Sequence, residues 1–135
     1  MIRSRVLIAD DLPPVLATVA SLLEKTFDVV AMEADGQAAL GAAIKLEPDL
    51  LVLDISMPIL SGIEVAQELK RLGNRAKIVF LTVHEDPDIL NACHAAGGLG
   101  YVIKVRMDSD LIPAMEEALA GRQFSSCFTD DQGTP

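Results

Sequence analysis

Four short apolar runs in this chain each end on a side chain that can do chemistry. Arg5 to Asp10 reads Arg-Val-Leu-Ile-Ala-Asp and is followed at once by a second acid, Asp11. Leu50 to Leu53 runs without polar alternation and stops at Asp54; Lys77 to Thr82 reads Lys-Ile-Val-Phe-Leu-Thr; Gly100 to Lys104 reads Gly-Tyr-Val-Ile-Lys. Runs of this length without alternation suit strands buried on both faces, as in parallel sheets. In a parallel sheet every strand's C-terminal end lies on one edge, where open α/β sheets bind ligands. Asp10, Asp11, Asp54, Thr82 and Lys104 would collect there. Taken singly, each has an ordinary reading: Asp11 as a helix N-cap, Asp54 as a turn residue, Thr82 as a plain strand residue, Lys104 as a solvated charge. Four of five strand tips carrying ionic or hydroxyl groups favour a shared site instead.

The chemistry follows from charge. Two carboxylates about 4 Å apart repel by about 4 kcal/mol at an effective dielectric near 20. Three converging on one crevice therefore need a cation, or one of them must hold a proton. A hard divalent ion with oxygen ligands fits, and Mg²⁺ is the usual choice where only a few carboxylates and waters are available. With that charge balanced, Asp54 can act as a nucleophile towards a phosphoryl group. Thr82 would offer a hydroxyl donor and Lys104 a cation for the phosphoryl oxygens.

The elements that must position these groups are readable in order. After Asp11, Pro13 and Pro14 suit a first helical turn, and Leu12, Val15 or Leu16, Val19, and Leu22 or Leu23 recur at helical spacing. Phe27 to Ala34 reads as a strand, with Asp35-Gly36 a turn signal and Gln37 to Glu47 an Ala-rich helix ended by Pro48. Ser61 with Glu64 makes a capping box for a helix through about Leu72. Asp86 to Ala96 is a weaker helix closed by Gly97-Gly98, and Ser109 to Ala120 is the last. Five rounds of strand then helix predict a five-stranded parallel sheet with helices on both faces and right-handed crossovers. From Gly121 onward the text is polar and aperiodic, which reads as a tail or linker.

The 135 residues suffice for one domain with a proper core, and half of them are hydrophobic. The formal net charge of −9 argues against direct nucleic-acid binding, which needs a basic footprint. No apolar run approaches the roughly 18 residues of a membrane helix, and no signal-peptide core is present. Cys93 and Cys127 have neither metal-ligand spacing nor a disulfide framework. These features predict a cytoplasmic protein.

The acid pair Asp10-Asp11, the Asp54-x-x-Met57-Pro58-x-x-x-Gly62 segment, Thr82, and the run from Ala96 to Lys104 together resemble the receiver domain of bacterial response regulators. The resemblance covers roughly residues 5–122, leaving 123–135 as a linker or tail. It implies the flavodoxin-like strand order 2-1-3-4-5 and phosphorylation of Asp54 by a sensor histidine kinase. It also implies Mg²⁺ held by Asp11, Asp54 and the Ser56 backbone carbonyl, with Asp10 acting through water. Thr82 and Tyr101 resemble the paired switch residues of the family. Ser56 and His84 fall two residues beyond Asp54 and Thr82, where they would tune the phosphoryl lifetime unless they are solvated loop residues.

One departure stands out: Val105 follows Lys104 where many members have a cis proline, so a trans bond is expected. That absence resembles regulators of the nitrate-response type with helix-turn-helix output. The stretch Ala120-Gly121-Arg122-Gln123-Phe124-Ser125-Ser126 resembles their receiver-to-linker junction. No Lys or Arg occurs between Lys77 and Lys104, unlike the basic fourth helix of salt-bridged winged-helix dimers. The expected partners are therefore a sensor kinase and either an output domain or a second receiver, the outcome being control of transcription. A single-domain relay protein is the alternative. An aspartyl-phosphate phosphatase of the haloacid dehalogenase type is disfavoured, because Ser56 stands where that family has a second Asp.

Overall fold

The apolar runs form the strands the spacing predicts. The computed structural model describes residues 3–83 and 85–126. Its elements in chain order are β1 (Arg5–Ala9), α1 (Pro13–Leu23), β2 (Asp28–Glu33), α2 (Gly36–Leu46), β3 (Leu50–Asp54) and α3 (Gly62–Arg71). There follow β4 (Lys77–Thr82), α4 (Pro87–Ala95), β5 (Gly100–Ile103), a single 3₁₀ turn (Lys104–Arg106), α5 (Met107–Leu119) and β6 (Phe124–Ser125). The sheet order is β2-β1-β3-β4-β5-β6, all pairs parallel.

Two apolar layers explain why the strands lack polar alternation. Leu7 and Ala9, Leu51 and Leu53, Ile78 and Phe80, and Tyr101 and Ile103 join the residues that α2, α3 and α4 bury on one face. Their immediate neighbours Val6 and Ile8, Leu50 and Val52, Val79 and Leu81, and Val102 join those of α1 and α5 on the other. Successive strand residues point to opposite faces, and here both faces are covered. Each fully buried Leu, Ile or Val stabilises the fold by about 1.5–3 kcal/mol.

Helix ends follow local chemistry. The Ser61 hydroxyl accepts from the Glu64 N–H (3.1 Å) and the Glu64 carboxylate accepts from the Ser61 N–H (2.8 Å), completing the capping box. Asp35, read from sequence as a turn residue, caps α2 by accepting from the Ala38 N–H at 2.7 Å. Glu47 adopts a left-handed φ of 49° and stops that helix. Before α5 the chain makes its 3₁₀ turn directly after β5, so Lys104 lies just past the strand and the helix opens at Met107 rather than Ser109. No cis peptide bond occurs among the described residues, Lys104–Val105 included.

The expectation of five strands needs correction, because the sheet has six among the described residues. Phe124 pairs with Gly100 and Ser125 with Tyr101. The Phe124 N–H donates to the Leu99 carbonyl (2.9 Å) and the Ser126 N–H to the Tyr101 carbonyl (2.8 Å). Phe124 packs against the α1/α5 layer, and Ser126 is buried. Part of the stretch read as a tail therefore completes the sheet; residues 127–135 lie outside the described residues.

Candidate functional site

Register brings the reactive residues level. Ala9 pairs with Leu53, Asp54 with Leu81, and Thr82 with Ile103. Asp10, Asp54, Thr82 and Lys104 thus emerge together at the C-terminal edge of the sheet. One carboxylate oxygen from each of Asp10, Asp11 and Asp54 lies within 4.8 Å of the others, with Asp10 and Asp54 buried and Asp11 exposed. A surface depression of about 730 Å³, bordered by Pro48, Leu72 and Lys77, opens at the opposite edge and contains none of these groups.

Lys104 is the cation of the cluster. Its Nζ lies 2.7 Å from Asp10 Oδ2 and 3.3 Å from Asp54 Oδ1. Burial works against its charge, but the close pairing with Asp10 and the nearby Asp54 carboxylate outweigh that, and its pKa is raised. Asp10 is committed on both oxygens, since Oδ1 accepts from the Leu12 N–H at 2.9 Å. Asp11 does not cap α1: the N-cap is Leu12, with no side-chain cap, and the two prolines remove N–H groups that would need one. Its carboxylate is left facing solvent beside the other two.

Asp54 is 4 % exposed. Burial above all, and then the Asp10 charge, push its pKa from 3.8 up to about 6, against the pull of Lys104 and the Ser56 N–H. The loop after it is tied at both ends. The Ile55 N–H donates to the Leu81 carbonyl (3.1 Å) and the Gly62 N–H to the Ile55 carbonyl (2.9 Å). A Cβ on Gly62 would stand 2.2 Å from the Asp54 carbonyl oxygen, so only glycine lets α3 start this close. Within the loop Ile59 holds φ at 72°, with the Leu60 N–H on the Pro58 carbonyl at 2.8 Å. A β-branched residue there is strained by roughly 1–3 kcal/mol.

Thr82 and Tyr101, expected as a pair, meet in the structure. Tyr101 is fully buried. Burial raises its pKa, opposed by hydrogen bonds from the Asp86 main chain and the Thr82 side chain. Ser56 is exposed at the mouth of the site, and its N–H donates weakly to Asp54 Oδ1 (3.4 Å). His84 lies outside the described residues.

Sequence reading missed two things. It did not anticipate that Lys104 Nζ lies nearest Asp10 Oδ2, at 2.7 Å. It also missed the buried Asp110, which accepts from Arg106 Nε (3.1 Å) and Ser126 Oγ (2.7 Å). The i,i+4 spacing of Arg106 and Asp110 was an available signal.

A doubly wound parallel sheet whose carboxyl edge sets a buried aspartate among two further acids and a lysine defines an α/β domain with an acidic site at its ligand-binding edge. Residues 6–116 match the family model of the response regulator receiver domain, and the chain belongs to that family. It is 36% identical over 124 residues to the transcriptional regulatory protein YvfU of Bacillus subtilis, covering 90% of this chain and 62% of that one. It is 35% identical over 128 residues to the nitrate/nitrite response regulator protein NarP of Escherichia coli, covering 93% and 58%. Among solved structures it superposes on a LuxR-family two-component response regulator from Aurantimonas with a TM-score of 0.86, at 30% identity over 91% of this chain and 89% of that one. The receiver domain of RcsB from Salmonella enterica, solved with the phosphomimetic BeF3⁻, gives a TM-score of 0.83 at 31% identity, covering 93% and 94%. The chain spans about three fifths of the length of the curated relatives it matches. No helix among the described residues is long and apolar enough to cross a membrane.

Proposed function

We propose that this domain is a phosphorylation-controlled switch in which Asp54 accepts a phosphoryl group from a phosphohistidine of a sensor kinase. The observation that carries this reading is the charge balance around a buried nucleophile. Among the described residues the clustered carboxylates of Asp10, Asp11 and Asp54 are met by the ammonium of Lys104, paired with Asp10 and Asp54, which leaves two negative charges for a divalent cation to offset. That donor set of hard oxygens fits Mg²⁺, with Asp11, Asp54 and the Ser56 carbonyl as ligands and Asp10 at one remove. When bound, Mg²⁺ would supply positive charge opposite the phosphoryl oxygens.

The chain's own groups do the rest. An Asp54 carboxylate oxygen forms the new O–P bond as the donor's N–P bond breaks, and the departing imidazole keeps the electron pair and takes up a proton. Lys104, already 3.3 Å from Asp54, pairs with a phosphoryl oxygen, and the Thr82 hydroxyl donates to another. Holding Thr82 towards the phosphoryl group favours the buried position of Tyr101, which is how the charge becomes a change of surface. A domain placed beside the receiver in a longer chain, or a second receiver, would read that surface, with transcription in the cytoplasm as the output.

Intact-mass measurement with acetyl phosphate tests the assignment: the wild type gains one phosphoryl group only with Mg²⁺, and Asp54→Asn gains none. Asp11→Ala weakens Mg²⁺ binding, read by calorimetry, far more than Asp10→Ala. Equal labelling of Asp54→Asn refutes the acceptor.

A further inference from the structure

Ser126 makes three hydrogen bonds, and all of them bracket the lysine of the site. Its N–H donates to the carbonyl of Tyr101 at 2.8 Å. Its hydroxyl accepts from the N–H of Ile103, the residue before Lys104, at 3.1 Å. The same hydroxyl donates to Asp110 Oδ2 at 2.7 Å, and that oxygen also accepts from Arg106 Nε at 3.1 Å. Arg106 ends the 3₁₀ turn that Lys104 begins. One hydroxyl thus holds the chain directly upstream of Lys104 and, through Asp110 and Arg106, downstream of it. Ser126 and Asp110 are only 3 % and 8 % exposed, so water is a poor substitute for either bond. Because β6 runs parallel to β5, it carries the chain back towards the edge that holds Asp54.

We propose that Ser126 is a positioning residue for Lys104, and that the Ser126–Asp110–Arg106 bridge couples the pairing of β6 to the state of Asp54. The coupling rests on the reading of Asp54 as phosphoacceptor. The Lys104 ammonium sits between Asp10 and Asp54, and a phosphoryl group on Asp54 offers it new acceptor oxygens. A shift of the ammonium that draws the Lys104 main chain with it passes to Ile103 and to the Lys104–Arg106 turn, which adjoin it directly in the chain. Both are tied to Ser126, so the shift loads or relieves its bonds. Linkage is reciprocal: what strengthens β6 pairing also favours the Lys104 placement that accepts phosphate, and the converse. A strand of two residues, too short to be stable alone, is well suited to respond.

The test compares the full 135-residue wild type with Ser126→Ala, Ser126→Thr, Arg106→Ala and the same-strand control Ser125→Ala, at an exposed position. Phosphorylation by acetyl phosphate should slow roughly tenfold in Ser126→Ala, in the range that slight misplacement of a reacting group costs. Ser126→Thr, which keeps the hydroxyl, should recover the rate, and Ser125→Ala should match wild type. Arg106→Ala, whose side chain is 49 % exposed, breaks the bridge without emptying a buried site and should slow the reaction in the same direction. It decides the matter if Ser126→Ala fails to fold. In wild type, beryllofluoride should change amide exchange at Ile103 and Ser126 severalfold, and this response should vanish in Arg106→Ala. Wild-type rates in the folded bridge variants, or exchange at Ile103 and Ser126 indifferent to beryllofluoride, overturn the coupling. A wild type that takes no phosphate on Asp54 overturns the phosphoacceptor reading beneath it.

Discussion

Replacing Asp54, the proposed phosphoacceptor, should make the metal-free protein more stable. Asp54 has a folded-state pKa of about 6 against an ordinary 3.8, chiefly because it is buried and then because Asp10 is close. A folded pKa above the unfolded one means that the folded state binds the proton more tightly. The associated stability is fully present below about pH 4 and is lost as pH rises through about 6. The rise corresponds to about 3 kcal/mol at pH 7, at about 1.4 kcal/mol for each tenfold change in proton affinity. Asp54→Asn keeps the shape of the protonated side chain and carries no charge, so it escapes that cost. Urea unfolding in EDTA at pH 7 should show the variant more stable by up to about 3 kcal/mol, a midpoint higher by roughly 1–3 M at ordinary m-values. At pH 4 the two proteins should unfold at nearly the same urea concentration. Mg²⁺ should then stabilise the wild type in a concentration-dependent way and help Asp54→Asn much less. Equal stability at pH 7, or a gap that persists unchanged at pH 4, would refute the argument that burial and Asp10 repulsion load this carboxylate.

Two further outcomes are expected. Thr82→Ala should still accept phosphate, but it removes a hydrogen-bond partner of Tyr101; since Tyr101 is the sole tyrosine and no tryptophan is present, its fluorescence should become more accessible to iodide and lose its response to beryllofluoride. An unaltered quenching response would break the proposed link between the two residues. Gly62→Ala forces a Cβ to 2.2 Å from the Asp54 carbonyl and should destabilise the fold by about 1–3 kcal/mol, as overpacking does; an unchanged urea midpoint would show that α3 can move away freely.

Much of this molecule is written in short-range patterns. The apolar runs ending at Asp54 and Thr82 mark β3 and β4 to the residue, because a strand covered on both faces needs every position apolar. The Ser61–Glu64 box marks the start of α3, since both of its partners lie within one helical turn. The membership of the site was readable for the same reason: parallel strands must end at a common edge, so strand-tip residues identify themselves once the strands are found.

What tertiary packing alone decided involves partners far apart in sequence. Two residues such as Phe124 and Ser125 are too few to show alternation, and β6 exists because the edge of β5 and the α1/α5 layer receive it. Nothing in the spacing of Ser126 and Ile103, or of Ser126 and Asp110, announces that one hydroxyl joins them. The choice of Asp10 as the nearer partner of Lys104, and the raised pKa of Asp54, depend on distances of a few ångströms and on how completely water is excluded. Charge and burial act through space, and the chain records only which residues are available to meet.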